Sequence, residues 1–119
     1  MRVLVVDDNR NFARFLYGAL ATRGYRSRTA FSIADALGAA AEEKFDLFLL
    51  DIRVPDGDGR ELAARLMAEH GATPDQVLFM TALETDQIGD VSTVSAHAVL
   101  RKPFRLNGLL QILQDLVTK

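Results

Sequence analysis

Residues 44–70 read KFDLFLLDIRVPDGDGRELAARLMAEH, and the pattern of that stretch changes twice. Residues 47–50 form a continuous apolar run, as expected for a strand buried on both faces of a parallel sheet. The run ends at a carboxylate, Asp51. Beyond it, Asp58 with Glu61 resembles a capping box that opens a helix over residues 62–69, and Gly71 stands where a helix stop belongs. The order is strand, carboxylate, loop, helix.

Working outward, the same unit recurs. Apolar runs stand at residues 3–6, 77–80 and 98–100, with a weaker one at 26–30. Phe12, Phe15, Leu16, Ala19 and Leu20 are spaced i, i+3, i+4, i+7 and i+8, which makes one apolar helix face, and Gly24 reads as its stop. Ser32 with Asp35 resembles a capping box ahead of a helix over 34–43. Leu106, Leu109, Leu110, Leu113, Leu116 and Val117 form the apolar stripe of a last helix. Residues 84–95 fit less well, because Gly89 and the β-branched Val91, Thr93 and Val94 weaken a helix there. Alternating strands and helices predict right-handed βαβ crossovers and a doubly wound, open α/β sheet. With no linker, repeat or low-complexity tract, residues 1–119 read as a single domain.

Composition narrows the function. The chain has no Cys, which excludes disulfides and thiolate metal sites, and its two histidines, His70 and His97, are far apart. His97, just ahead of the fifth apolar run, reads as a solvated turn residue. A formal net charge of −2 and scattered arginines argue against a nucleic-acid surface. The opening MRVLVVDD is too short and too acidic for a signal peptide, and no apolar run approaches the length of a membrane span. The expectation is a cytoplasmic protein that binds neither nucleic acid nor membrane.

In an open parallel sheet, ligands bind at the carboxyl ends of the strands. Asp7 and Asp8 follow the first apolar run and Asp51 the third; Thr81 and Ala82 follow the fourth, and Arg101, Lys102 and Pro103 the fifth. Taken singly, these are ordinary: acidic pairs cap helices, Thr ends many strands, and Lys-Pro is a turn. Their joint placement at four of five strand ends is not. Three clustered carboxylates repel one another unless a cation offsets them. Lys102 brings one positive charge, and an all-oxygen ligand set with retained waters suits Mg²⁺ or Mn²⁺.

The segments VVDDN at 5–9, LLDIRVPDGDG at 49–59, MTA at 80–82 and RKPF at 101–104 together resemble the receiver domain of bacterial two-component response regulators, and the resemblance covers essentially the whole chain. It implies a flavodoxin-like or CheY-like fold with five parallel strands in the order 2-1-3-4-5. It also implies that Asp51 accepts a phosphoryl group from a phosphohistidine on a histidine kinase or histidine phosphotransfer protein, and later releases it by slow hydrolysis. Such a domain is a signalling module that catalyses only its own phosphorylation and dephosphorylation. By the same resemblance, Asp8 and Asp51 are direct metal ligands, Asp7 often acts through a water, and the backbone carbonyl of Arg53 completes the protein's share of the shell. Lys102 and Thr81 would bind phosphoryl oxygens, and the small Ala82 would leave the group accessible. Pro55, Asp58 and Gly59 would shape the loop after Asp51, Pro103 would follow a peptide bond that is usually cis, and Phe104 would anchor the last helix.

One position departs from the family pattern. Val99 stands three residues before Lys102, where Tyr or Phe is common and couples to the Thr on phosphorylation. A modest response is therefore expected on the surface made by the fourth helix, fifth strand and last helix, through which the resemblance also allows a homodimer. Two other functions fit less well. A phosphorylation-independent interaction domain tends to lack one of Asp7, Asp8, Asp51, Thr81 and Lys102. An aspartyl phosphatase usually shows Asp-x-Asp after the first strand, where this chain has an adjacent pair. No Gly-rich loop follows residues 3–6, so a nucleotide fold is weaker still.

Overall fold

A computed structural model describes the backbone of residues 1–81, 98–101 and 106–117, and the side chains of 1–80 and 108–114 within them. Five strands make the main sheet: β1 (Arg2–Val6), β2 (Arg26–Ala30), β3 (Leu47–Asp51), β4 (Val77–Thr81) and β5 (Ala98–Arg101). All neighbours are parallel, and the spatial order is β2-β1-β3-β4-β5, as expected. A separate two-stranded antiparallel ribbon, Arg53–Val54 against Gly57–Asp58, follows β3.

The continuous apolar runs are explained by two cores, one on each face of the sheet. Leu4, Val6, Phe48, Leu50, Val77 and Phe79 face one way, where they meet α2 (Ile33–Glu42) and α3 (Gly59–His70) through Ala36, Leu62 and Leu66. Val3, Val5, Leu47, Leu49, Leu78 and Met80 face the other way, toward Leu16 and Leu20 of α1 (Arg10–Ala21) and Leu109 and Leu113 of the last helix (Leu106–Val117). Alternate strand residues thus enter opposite cores, and neither face of β1, β3 or β4 can be polar.

The helices match the expected elements with local corrections. The buried line of α1 is Ala13, Leu16 and Leu20. At 100° per residue, Phe15 lies roughly 130° round the helix from that line, and it is 56% exposed. It is therefore not part of the apolar face. Gly24 stops the helix as expected: past the last helical residue, Ala21, it takes the left-handed conformation at φ 82°, its N–H donates to the Ala21 carbonyl at 3.1 Å, and Tyr25 N–H donates to the Leu20 carbonyl at 3.0 Å. For α2, Ser32 accepts from Asp35 N–H at 3.1 Å as read, and the helix begins one residue early, at Ile33. For α3, Asp58 caps the helix by accepting from Arg60 N–H, not through Glu61, because the Arg60 guanidinium folds onto the same carboxylate. Gly71 takes the left-handed C-cap as expected. Residues 84–95, His97, Ala82, Lys102, Pro103 and Phe104 lie outside the described residues, as do the side chains of Thr81 and Val99.

Candidate functional site

The candidate site is built on the carboxyl ends of β1 and β3. Asp7 extends the β1 ladder by one residue, its N–H donating to the Ala30 carbonyl at 3.0 Å. Its side chain then turns back to accept from Asn9 N–H at 2.9 Å. Asn9 in turn caps α1 by accepting from Phe12 N–H at 3.0 Å. The tight sequence Asp7-Asp8-Asn9 is therefore a strand-to-helix hinge, in which Asp7 is fully buried and Asp8 faces solvent. Asp51 ends β3 at 9% exposure, and its Oδ1 accepts from Arg53 N–H at 3.2 Å. Ile52 continues the pairing, its N–H donating to the Met80 carbonyl at 3.1 Å.

These hinges bring Asp7, Asp8 and Asp51 together, with one carboxylate oxygen from each lying within 4.8 Å of the others. Two of the three are buried, and burying a carboxylate is costly unless the site compensates its charge. Hard oxygen donors, open to water on the Asp8 side, fit a divalent cation that keeps part of its hydration shell, as Mg²⁺ does. Arg53, two residues after Asp51, opens the ribbon. Of the other expected site residues, Thr81 ends β4 beside Arg101, which ends β5, so its backbone reaches the same edge.

The loop after Asp51 is set by backbone contact. Gly59 N–H donates to the Ile52 carbonyl at 2.7 Å. A Cβ at Gly59 would overlap the Asp51 carbonyl oxygen and stand 3.0 Å from the Asp51 carbonyl carbon and 3.2 Å from Ile52 Cα. Only glycine fits there, and this close approach seats α3 against the acceptor strand.

Sequence reasoning missed several residues around the site. The Asp56 carboxylate accepts from Ile33 N–H at 2.8 Å and Ala34 N–H at 3.1 Å, and these bonds hold its pKa below the ordinary carboxylate value. Asp58 is likewise held low, chiefly by the Arg60 guanidinium. The Arg10 guanidinium lies 4.1 Å above the centre of the Phe31 ring, a cation–π contact just beyond the β1 and β2 ends. Asp56 follows Pro55 in a turn, so its obvious reading is a local turn bond, and nothing in the sequence points it at a helix 22 residues away. A groove of about 610 Å³ lies elsewhere, lined by Tyr17, Tyr25, Arg28 and Phe45 among others, and includes none of the three carboxylates.

Comparison with known proteins agrees with this geometry. Residues 3–114 match the family model of the response regulator receiver domain. The chain is 33% identical to the response regulator receiver protein CpdR of Brucella abortus over 98% of its own length and 96% of CpdR. It is 37% identical to the KDP operon transcriptional regulatory protein KdpE of Escherichia coli over 90% of this chain but 47% of KdpE. The chain spans about half the length of several curated relatives it matches. Among solved structures it superposes on the response regulator TrrA of Thermotoga maritima, in complex with Mg²⁺-BeF, with a TM-score of 0.81 and 29% identity over 97% of each chain. The acidic cluster described above fits the Mg²⁺ of such complexes. With a receiver's fold, its carboxylate edge and the family match over nearly the whole chain, this protein belongs to the receiver domains of two-component response regulators, signalling domains whose general function is to accept a phosphoryl group.

Proposed function

We propose that Asp51 is the phosphoacceptor and that its donor is a phosphohistidine on a histidine kinase or histidine phosphotransfer protein. The convergence of Asp7, Asp8 and Asp51 within 4.8 Å at the carboxyl edge carries this reading. Of the three, Asp51 is the one whose carboxylate is oriented by the loop that leads into α3, through Arg53 N–H. In the transfer, an Asp51 oxygen bonds to phosphorus, the P–N bond to the donor breaks, and the imidazole nitrogen keeps the electron pair. The transition state asks little bond-making of the nucleophile, so a weak carboxylate suffices when it is well placed. Mg²⁺ held by Asp7, Asp8, Asp51 and the Arg53 carbonyl, or Mn²⁺ with the same preference for oxygen, would neutralise charge on the transferring group.

The remaining roles follow the family pattern. Lys102 pairs with one phosphoryl oxygen, Thr81 donates its hydroxyl to another, and Ala82 leaves the group open to the donor and to the water that later hydrolyses it. Phosphorylation then changes the interaction surface of a cytoplasmic regulator, a self-modifying domain with no other substrate, and homodimerisation through the face that includes β5 and the last helix is part of the same proposal. The test is direct. With Mg²⁺ and acetyl phosphate the chain should form an acid-stable, base-labile acyl phosphate, and Asp8→Ala should lose most of its Mg²⁺ affinity. A protein that takes no phosphoryl group from acetyl phosphate or from phosphorylated kinases contradicts the reading.

A further inference from the structure

The segment that leads from Asp51 into α3 is fastened at both ends. At its base, Gly59 is bonded to Ile52 and lies against the Asp51 backbone. At its tip, the Asp56 carboxylate leaves the ribbon for another element, one oxygen accepting from Ile33 N–H at 2.8 Å and the other from Ala34 N–H at 3.1 Å. Those are the first two amides of α2, which a helix leaves without partners of its own. Ser32 takes the third, at Asp35. A carboxylate spanning two amides at a helix N-terminus gains from charge-assisted bonding and from the helix dipole, and the paired contact fixes direction as well as distance.

The polar contact has an apolar neighbour. Val54 of the ribbon and Ile33 of α2 belong to one buried cluster. A Cβ at Gly57 would stand 2.7 Å from Ile33 Cδ1, so the ribbon sits directly on the first residue of α2. Asp56 itself is exposed and fills no cavity. The ribbon is held by only two residue pairs, Arg53 with Asp58 and Val54 with Gly57. A hairpin that short is marginal without anchors.

We propose that Asp56 is a positioning residue for the acceptor site: it pins the ribbon tip to α2 and thereby fixes the backbone at Arg53, which orients the Asp51 carboxylate. The proposal rests on the reading of Asp51 as phosphoacceptor and names the element that holds it ready. The ribbon transmits the constraint, because Val54 and Gly57 flank the tip and Arg53 pairs next to them. Arg53 N–H then bonds Asp51 Oδ1, and the Arg53 carbonyl faces the metal position under the proposed function.

The experiment compares Asp56→Ala with Ser32→Ala in the full chain. Both variants remove a cap from the same helix end, but only the first releases the ribbon. Three quantities are read: Mg²⁺ affinity by titration, the rate of labelling by acetyl phosphate, and hydrogen exchange of the Arg53 amide. Asp56→Ala should weaken Mg²⁺ binding and slow labelling by roughly tenfold, the low end of what lost support around metal ligands costs, and should speed exchange at Arg53. Asp56→Asn, which keeps one acceptor oxygen, should fall between. Ser32→Ala should lower thermal stability yet leave all three readouts near wild type. Wild-type Mg²⁺ affinity and Arg53 exchange in Asp56→Ala would overturn the proposal, as would equal losses in Ser32→Ala, which would reduce Asp56 to a helix cap. If the wild type takes no phosphoryl group, the reading of Asp51 fails, while Mg²⁺ affinity and Arg53 exchange still decide the role of Asp56.

Discussion

Where α2 ends, Arg28 lies 2.8 Å from both Glu42 and Glu43, and Arg2 reaches Glu43 at 3.6 Å. At the carboxyl edge of the same sheet, three carboxylates stand within 4.8 Å of one another, two of them buried. The first arrangement is what folding alone selects on a surface: opposite charges meet, each pair adds little, and salt weakens it. The second works against folding, since like charges brought together repel and burial strips their water. Hydrogen bonds from Asn9 and Arg53 hold Asp7 and Asp51 in it nonetheless. One region has its charges paired within the protein, and the other has a cluster of like charges that fits a divalent cation.

The largest expected effect attacks the backbone that supports the acidic edge. Gly59→Ala drives a Cβ into the Asp51 carbonyl, a contact that a flexible side chain could relieve but backbone cannot. It should destabilise the fold by about 2–3 kcal/mol or more in urea unfolding, at the upper end of what overpacking costs. Unfolding at the wild-type midpoint would show that the close approach is not needed.

A smaller effect tests the contrast itself. Asp8→Asn should leave the metal-free protein as stable or stabilise it by roughly 0.5–1 kcal/mol, because a like charge is removed from the cluster. The same variant should lose the stabilisation that Mg²⁺ gives the wild type, since a ligand that binds only the folded state raises its stability. Arg28→Ala should do the opposite, lowering the melting temperature slightly whether or not Mg²⁺ is present. Both changes moving metal-free stability in the same direction would erase the distinction between the two regions.

The smallest effect is acid sensitivity. Asp56 is held below the ordinary carboxylate value by the Ile33 and Ala34 amides, and Asp58 by Arg60. A carboxylate with a lowered folded pKa contributes stability above its unfolded value, about 3.9 for Asp, and loses it as pH falls through the folded value. Unfolding free energy below about pH 4 should therefore fall more steeply in wild type than in Asp56→Asn. Parallel curves would mean that the Asp56 bonds do not form in solution.

The fold was legible because burial on both faces leaves a continuous apolar run, which residues 3–6, 47–50 and 77–80 all show. The acidic edge was legible for a related reason: where a buried strand ends, the next polar residues must stand at the sheet's rim, as Asp7 and Asp51 do. What escaped depends on the angle or reach of one side chain. Phe15 matched a helical spacing, yet a spacing does not say which line of the helix faces inward, and Ala13 took the place it was given. The Asp58–Glu61 pair had the form of a box, but Arg60 between them won the Asp58 carboxylate. Asp56 looked like a turn residue and is a tie to another helix, a long-range bond with no local pattern to announce it.

The central claim is that Asp51 alone carries the phosphoryl group. Wild-type protein and Asp51→Asn should each be incubated with Mg²⁺ and acetyl phosphate, reduced with borohydride to convert any acyl phosphate to homoserine, and mapped by peptide mass spectrometry. Homoserine at position 51 in the wild type, with no conversion at Asp7 or Asp8 and none anywhere in Asp51→Asn, is the result expected. Conversion at Asp7 or Asp8, or undiminished labelling of Asp51→Asn, would contradict it.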